Sequence, residues 1–260
     1  MILGIDHILI AVEDLELAIE TYQQLGLQVL PGGRHPNKGT HNAIVPLADG
    51  TYLELIGVFD QALAEQASPF VSAALHHENR LAQFALASDD LESDVIAIRA
   101  RGIEIADPSA GERERPDGQK VAWRSAFPFD PQLPFLIQDV TPRALRVPAP
   151  DSGIGRTLRM GDVNVGVRDL VASTDIYQKL LGVDGEDGWF ELPRGAIILK
   201  DVDTARLLQM VLEADNPLDI INTWQSRQVD YDESTIGGIG ITLQPKNTLG
   251  APIAITGRMS

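Results

Sequence analysis

The chain repeats itself, and the repeat limits what it can fold into. VEDLELAIETYQQLG at 12–26 and VRDLVASTDIYQKLLG at 167–182 each carry Val-x-Asp-Leu after an apolar run, then a helical face, then Leu-Gly. Asp14 and Asp169 stand 155 residues apart, as do Tyr22 and Tyr177. A fainter copy, LAQFALASDDLESDVIAIRARG at 81–102, puts Asp90 76 residues after Asp14. Such self-similarity marks one supersecondary unit used several times. The unit reads as a strand, an acid at the positive end of a helix dipole, an amphipathic helix, and a glycine (Gly26, Gly102 or Gly182) as its C-cap.

Strand-like runs follow each helix. In the first unit these are LQVLP (27–31), HNAIVPL (41–47) and TYLELIGVF (51–59), with Asp49-Gly50 as a hairpin signal. In the second they are GIEIA (102–106), KVAWRSAF (120–127) and PFLIQDV (134–140). TPRALRVPAPDSGIGR (141–156) reads as a linker between a domain at 1–145 and another at 155–260. The third unit continues with GWFEL (188–192), GAIILK (195–200) and RLLQMVLEA (206–214). TIGGIGITLQP (235–245) then reads as the opening strand of a truncated fourth unit. A β-α-β-β-β unit cannot bury its apolar face alone. Two side by side form a cup of about eight strands, a half-barrel with inward residues facing a shared cavity. The fold class expected is α+β.

Charge narrows the function. With 21 basic against 37 acidic residues, net −16, the chain lacks the field that gathers nucleic acid or anionic membrane. A small-molecule ligand is the expected partner. There are no cysteines, which removes disulfides and thiolate ligands or nucleophiles. No window approaches the ~20 apolar residues of a membrane span, and Asp6, Glu13 and Asp14 interrupt any secretory signal. The expectation is a cytosolic protein. Nucleophile-elbow, phosphate-loop and dinucleotide signatures are absent, and GGIGI at 237–241 lacks the context of the last.

Two residues break apolar strands. In GIDHILIAVEDL (4–15), alternation puts Ile5, His7, Leu9 and Ala11 on one face and Asp6, Ile8, Ile10 and Val12 on the other. His7 is then either a hydrogen-bonded core residue or part of a cavity wall. Glu54 shares a face with Tyr52 and Ile56. Burying its carboxylate costs several kcal/mol unless it is paired or metal-bound; the alternative is an edge strand open to water.

The β-α-β-β-β repeat, with His on its first strand and Glu on its fourth, resembles the vicinal oxygen chelate superfamily, which includes glyoxalase I, extradiol dioxygenases and bleomycin-resistance proteins. The glyoxalase-like subgroup is the nearest match, through GIDHILIAVEDL, GGRHPNKGTHN and GTYLELI in the first unit and RERPDG with KVAWR in the second. The resemblance implies a divalent metal (Fe, Mn, Ni or Zn) held by His7 and Glu54. It places Gln83 and Gln138 at the partner positions, where the strongest pattern has His or carboxylate. It further implies isomerase, lyase or dioxygenase chemistry on a substrate with adjacent oxygens, with Glu54 or His41 moving protons. The alternative is a metal-free binding protein, with His7, Gln83 and Gln138 orienting the ligand through hydrogen bonds.

Other residues are read both ways. Arg34, His41 and Asn42 either reach an anionic or carbonyl-bearing substrate or belong to a surface loop. Arg113 and Arg115, in GERERPDG (111–118), form an anion-binding lid or a solvated hairpin; Trp123 walls the pocket or fills core. Asp162 aligns with His7 but, with Asn164, makes no persuasive ligand set, so the second half reads as non-catalytic. Its other role would be to pair two copies in a homodimer.

Overall fold

The computed structural model describes residues 1–257 except 36, 116 and 235–239. The first half runs β1 (Ile2–Val12), α1 (Leu15–Gln24), β2 (Leu30–His35), β3 (Thr40–Pro46), β4 (Tyr52–Val58), α2 (Gln61–Ala67) and α3 (Pro69–Ala74). It continues with β5 (Leu81–Ser88), α4 (Leu91–Ala100), β6 (Ser109–Glu114), β7 (Lys120–Ala126), β8 (Phe135–Asp139) and α5 (Arg143–Arg146). The second half comprises β9 (Leu158–Val167), α6 (Leu170–Leu181), β10 (Trp189–Glu191), β11 (Ala196–Asp201), β12 (Arg206–Ala214), α7 (Pro217–Ser226), β13 (Tyr231–Ser234), β14 (Gly240–Leu243) and β15 (Ile253–Gly257).

The repeat is real at the level of caps. Asp14, Asp90 and Asp169 each accept a hydrogen bond from the backbone N–H three residues on, at the starts of α1, α4 and α6. Gly26, Gly102 and Gly182 take positive φ just past the same helices. The Asp49-Gly50 turn joins β3 to β4, with Thr51 N–H donating to Asp49 Oδ1 at 3.1 Å.

The described strands form an eight-stranded sheet, β2-β3-β4-β1-β5-β8-β7-β6, and a seven-stranded one, β10-β11-β9-β12-β15-β14-β13. In the first, β1 and β5 pair antiparallel at the centre, each flanked by a parallel partner, β4 or β8. The second repeats this pattern with β9 and β12 at the centre and β11 and β15 beside them. The strand reading of the second half therefore needs correction. RLLQMVLEA does not close the third unit; it opens the fourth as β12, which continues through α7 to β15. The third unit is the short one, with two strands after its helix. Within TIGGIGITLQP, residues 235–239 lie outside the described residues and Gly240–Leu243 form β14. GIEIA also fails as a strand: only an isolated Ile105–Pro128 bridge forms there, and β6 begins later, at Ser109, and runs into the charged GERERPDG stretch.

The helices α1, α4, α6 and α7 contribute to one large apolar core that joins the halves. Trp224 on α7 donates its indole N–H to Leu25 O at 2.9 Å, and the Tyr22 hydroxyl donates to Thr248 O at 3.3 Å. A smaller cluster, including Leu9, Ile56, Ala85, Phe135 and Val71, occupies the concave side of the first sheet under α3. No helix among the described residues is long and apolar enough to cross a membrane.

Candidate active site

The site is built at the middle of β1. Against β5, Ile5 pairs with Leu86 and His7 with Ala85, so Asp6 is an extra residue in the ladder. This β-bulge resets the alternation. Ile5 joins the core beneath the sheet with Ile8 and Ile10, whereas His7, Leu9 and Ala11 keep the concave face. The expectation that Ile5 shares the His7 face, and Asp6 the opposite one, is corrected by the bulge. Asp6 instead reaches back to its neighbour.

The result is a buried line of three groups. Asp6 Oδ1 lies 2.7 Å from His7 Nδ1, and Glu54 Oε2 lies 3.3 Å from His7 Nε2. Residues 6, 7 and 54 are 1%, 2% and 7% exposed. Both neighbours of the ring are carboxylates, which when ionised only accept, so the arrangement favours an imidazolium with a proton on each ring nitrogen. Burial opposes this charge, but the hydrogen bonds to Asp6 and Glu54 outweigh it and raise the His7 pKa above the ordinary histidine value. Tyr52 stacks on the ring at 4.5 Å and Phe135 meets it edge-on.

Each carboxylate has its own support. Burial opposes ionisation of Asp6, yet Arg146, then His7 and Arg143, hold it well below the usual carboxylate range. Arg146 grips Asp6 through two 3.0 Å contacts, donates to the Tyr52 hydroxyl at 2.9 Å and also pairs with Asp139; Arg143 reaches Asp6 at 2.6 Å. Glu54 Oε1 accepts from Asn42 Nδ2 at 2.7 Å. Burial opposes its ionisation too, but the His7 hydrogen bond and charge, with His35 and Asn42 behind them, hold it down at about 2.

Arg143 and Arg146 lie on α5, inside the stretch read as a linker. That stretch is part of the site's foundation. The signal was available: two arginines four and seven residues beyond Asp139 can meet it from one helical turn.

Above the line lies a cavity of about 60 Å³, with Trp123, Phe127, Phe135 and Ile137 on its apolar side and His35, Lys38 and Arg113 on its polar side. Trp123 is thus a pocket wall. Burial pushes the His35 pKa down to about 4, so that ring is neutral. Arg113 is 6% exposed and donates to the backbone oxygens of Gly32 and Arg146. Lys38 Nζ stands 5.5 Å from the Phe127 ring centroid. Among the described residues, neither cation is paired with a carboxylate. Arg115 is outside the cavity, paired with Asp117.

Four other expected site residues face elsewhere. His41 alternates with Asn42 and lands on the opposite face, against Phe59. Arg34 is exposed and lies over the same Phe59 ring. Gln83 donates to Pro131 O and Leu133 O and accepts from Phe84 N–H. Gln138, next to inward-facing Ile137, turns out to the start of α4, where it accepts from Leu91 N–H and donates to Asp89 O. In the second half, Asp162 pairs in register with Ala196, and Asn164 donates to Gln209.

The donor set does not fit a divalent ion. His7 and Glu54 supply two donors, while the amides at both partner positions are spent on backbone groups. No group of three His, Asp or Glu among the described residues could hold a metal. Two unpaired cations in the same cavity oppose a third positive charge. What the arrangement favours instead is a proton on His7, between two carboxylates.

The sequence profile of the glyoxalase-like domain matches residues 5–181. The chain belongs to the glyoxalase-like domain family. Its fold is that of the vicinal oxygen chelate superfamily, as the shared-cup topology implies. This glyoxalase-like chain is similar in structure to a hypothetical protein from Staphylococcus aureus, at 14% identity and TM-score 0.73, covering 98% of this chain and 99% of that one. It is also similar to a mutant 4-hydroxymandelate synthase from Streptomyces coelicolor, at 13% identity and TM-score 0.63, covering 99% and 93%. These likenesses concern fold. No curated protein matches the sequence.

Proposed function

We propose that the first-half cup is the active site of a proton-transfer enzyme, of isomerase or lyase type, acting on a small anionic molecule with adjacent oxygens. The observation that carries this reading is the buried Asp6–His7–Glu54 line opening on a cavity that also contains Lys38 and Arg113. Those cations suit a carboxylate or a developing enolate oxygen in a site that excludes water. A cavity of about 60 Å³ suits a substrate of few heavy atoms.

In this reading Glu54 takes a proton from the substrate carbon next to a carbonyl, and the C–H electron pair moves onto the carbonyl oxygen. Lys38 and Arg113 stabilise the negative charge that forms there. Glu54 then returns the proton to the same carbon, inverting it, or, once the adjacent hydroxyl has passed its proton to the enolate oxygen and become the new carbonyl, to the neighbouring carbon. His7 orients Glu54 through Oε2, and Asp6 keeps the imidazolium in place. With Glu54 held near 2, it is by itself a weak base. An anionic substrate displaces some of the positive field acting on it, and so raises its basicity.

The test is hydrogen–deuterium exchange at carbon. A panel of small hydroxy- and oxo-carboxylates is incubated with protein in deuterium oxide and followed by proton NMR. The proposal expects exchange with at least one compound, lost in Glu54→Gln while binding persists. Binding without exchange in the wild type would support the metal-free binding protein instead.

A further inference from the structure

A second cavity lies where the two halves meet, and it is larger than the cup. Its volume is about 370 Å³, within the roughly 300–1,000 Å³ of small-molecule pockets. Protein interiors seldom leave voids beyond a water or two, so an opening of this size between two docked halves calls for an explanation. One wall comes from α3 and the start of β5, another from the 130–133 loop, and the third from α6, β9 and β12.

The lining is graded. Leu81, Leu133, Val165, Val167 and Leu207 are each below 9% exposed and give the floor an apolar surface. The Tyr177 ring stands in the wall, and its hydroxyl is buried with no hydrogen-bond partner. Buried polar groups are nearly always satisfied. Charged and polar side chains, among them Asp130, His77 and Arg206, gather at the exposed rim.

The cavity is also rigidly framed. Asn79 donates to Leu207 O at 2.8 Å, stapling the approach to β5 onto β12 across the junction. Gln83 pins the third wall by donating to Pro131 O at 3.0 Å and Leu133 O at 3.1 Å. This gives Gln83, unused in the cup, a role: it fixes the loop that closes the second cavity.

We infer that this junction cavity is a second binding site, for an uncharged and mostly apolar molecule carrying one hydrogen-bonding group. An apolar body would take the floor at little desolvation cost, and the polar group would meet the polar side chains at the rim. The site lies outside the cup, so its ligand need not be the substrate.

The probe is 2-naphthol, whose fluorescence reports binding. Two plugs are placed on opposite walls at solvent-facing or half-buried positions, Ala73→Trp on α3 and Ser173→Trp on α6. A cup variant, Lys38→Met, serves as the contrast. The site predicts saturable binding of one 2-naphthol per chain, abolished by either plug at unchanged melting temperature and retained in Lys38→Met. Absence of saturable binding in the wild type would overturn it. So would binding that survives both plugs, or that is lost in Lys38→Met alone, which would place the probe in the cup.

Discussion

Asp6 and His7 are neighbours on one strand, yet their side chains meet at 2.7 Å because Asp6 occupies a bulge. In a regular strand the two would face opposite sides of the sheet. The bulge therefore creates the site. It lets a carboxylate anchored on Arg146 and Arg143 hold the imidazolium from behind, while Glu54 takes its other nitrogen.

Removing the anchor should be costly. Asp6→Asn removes the buried carboxylate that Arg146 and His7 share, leaving Arg146 only Asp139 and His7 only Glu54, and breaking a buried pair of this kind costs about 3–5 kcal/mol. Urea denaturation should show a loss of that order. An unchanged midpoint would mean that Asp6 is not the hub of the network.

Acid should destabilise the fold in a defined window. Glu54 is depressed to about 2 from an ordinary 4.5, and Asp6 is lowered as well. A carboxylate with a lowered folded pKa contributes stability that is complete above its unfolded value and is lost as pH falls through the folded one. The His7 shift has the opposite sign: its contribution is complete below 6.5 and fades as pH rises through the raised value. Stability followed by denaturation across pH should peak between those limits and fall on both sides. In Glu54→Gln the acid limb should weaken.

Lys38→Met should weaken small carboxylates selectively. A hydrogen bond to a charged group is worth about 1.5–3 kcal/mol, roughly tenfold or more in affinity. Titration of lactate against 1,2-propanediol, followed by the fluorescence of the pocket residue Trp123, separates charge recognition from shape. The diol should be unaffected, and equal losses for both would argue against an anion site.

Gly4→Ala should loosen the junction of the two halves. Gly4 has φ +113, and a Cβ there would come within 2.5 Å of Arg194 O in the second half. Strain at such a position costs of order 1–3 kcal/mol, and neighbouring Ile5 N–H would lose its 3.1 Å bond to the same oxygen. Limited proteolysis near residues 192–196 should accelerate in the variant.

Much of the scaffold was legible because its signals are local. Asp14, Asp90 and Asp169 announce helix starts by chemistry that needs only three following residues. His7 and Glu54 stood out because each interrupts an apolar strand. The fourth unit reads as truncated and opening at 235–245, although Asn216-Pro217, an N-cap followed by proline at the first helical position, marks the start of its helix α7. The shared faces of His7 and Asp6, and the outward turns of His41 and Gln138, depend on bulges and ladder phase, which alternation alone does not reveal. The role of Arg146 depends on a contact spanning 140 residues of chain, and its Pro-rich surroundings read as linker.

The central claim is that the cup holds a charged imidazole between two carboxylates, and nitrogen-15 NMR of labelled His7 at neutral pH tests it most directly. The account predicts protonated signals from both ring nitrogens, unchanged on adding zinc or manganese and lost from their positions in Asp6→Asn. A neutral ring, or an Nε2 resonance that moves or broadens as a stoichiometric metal binds, would contradict it and restore the metal reading.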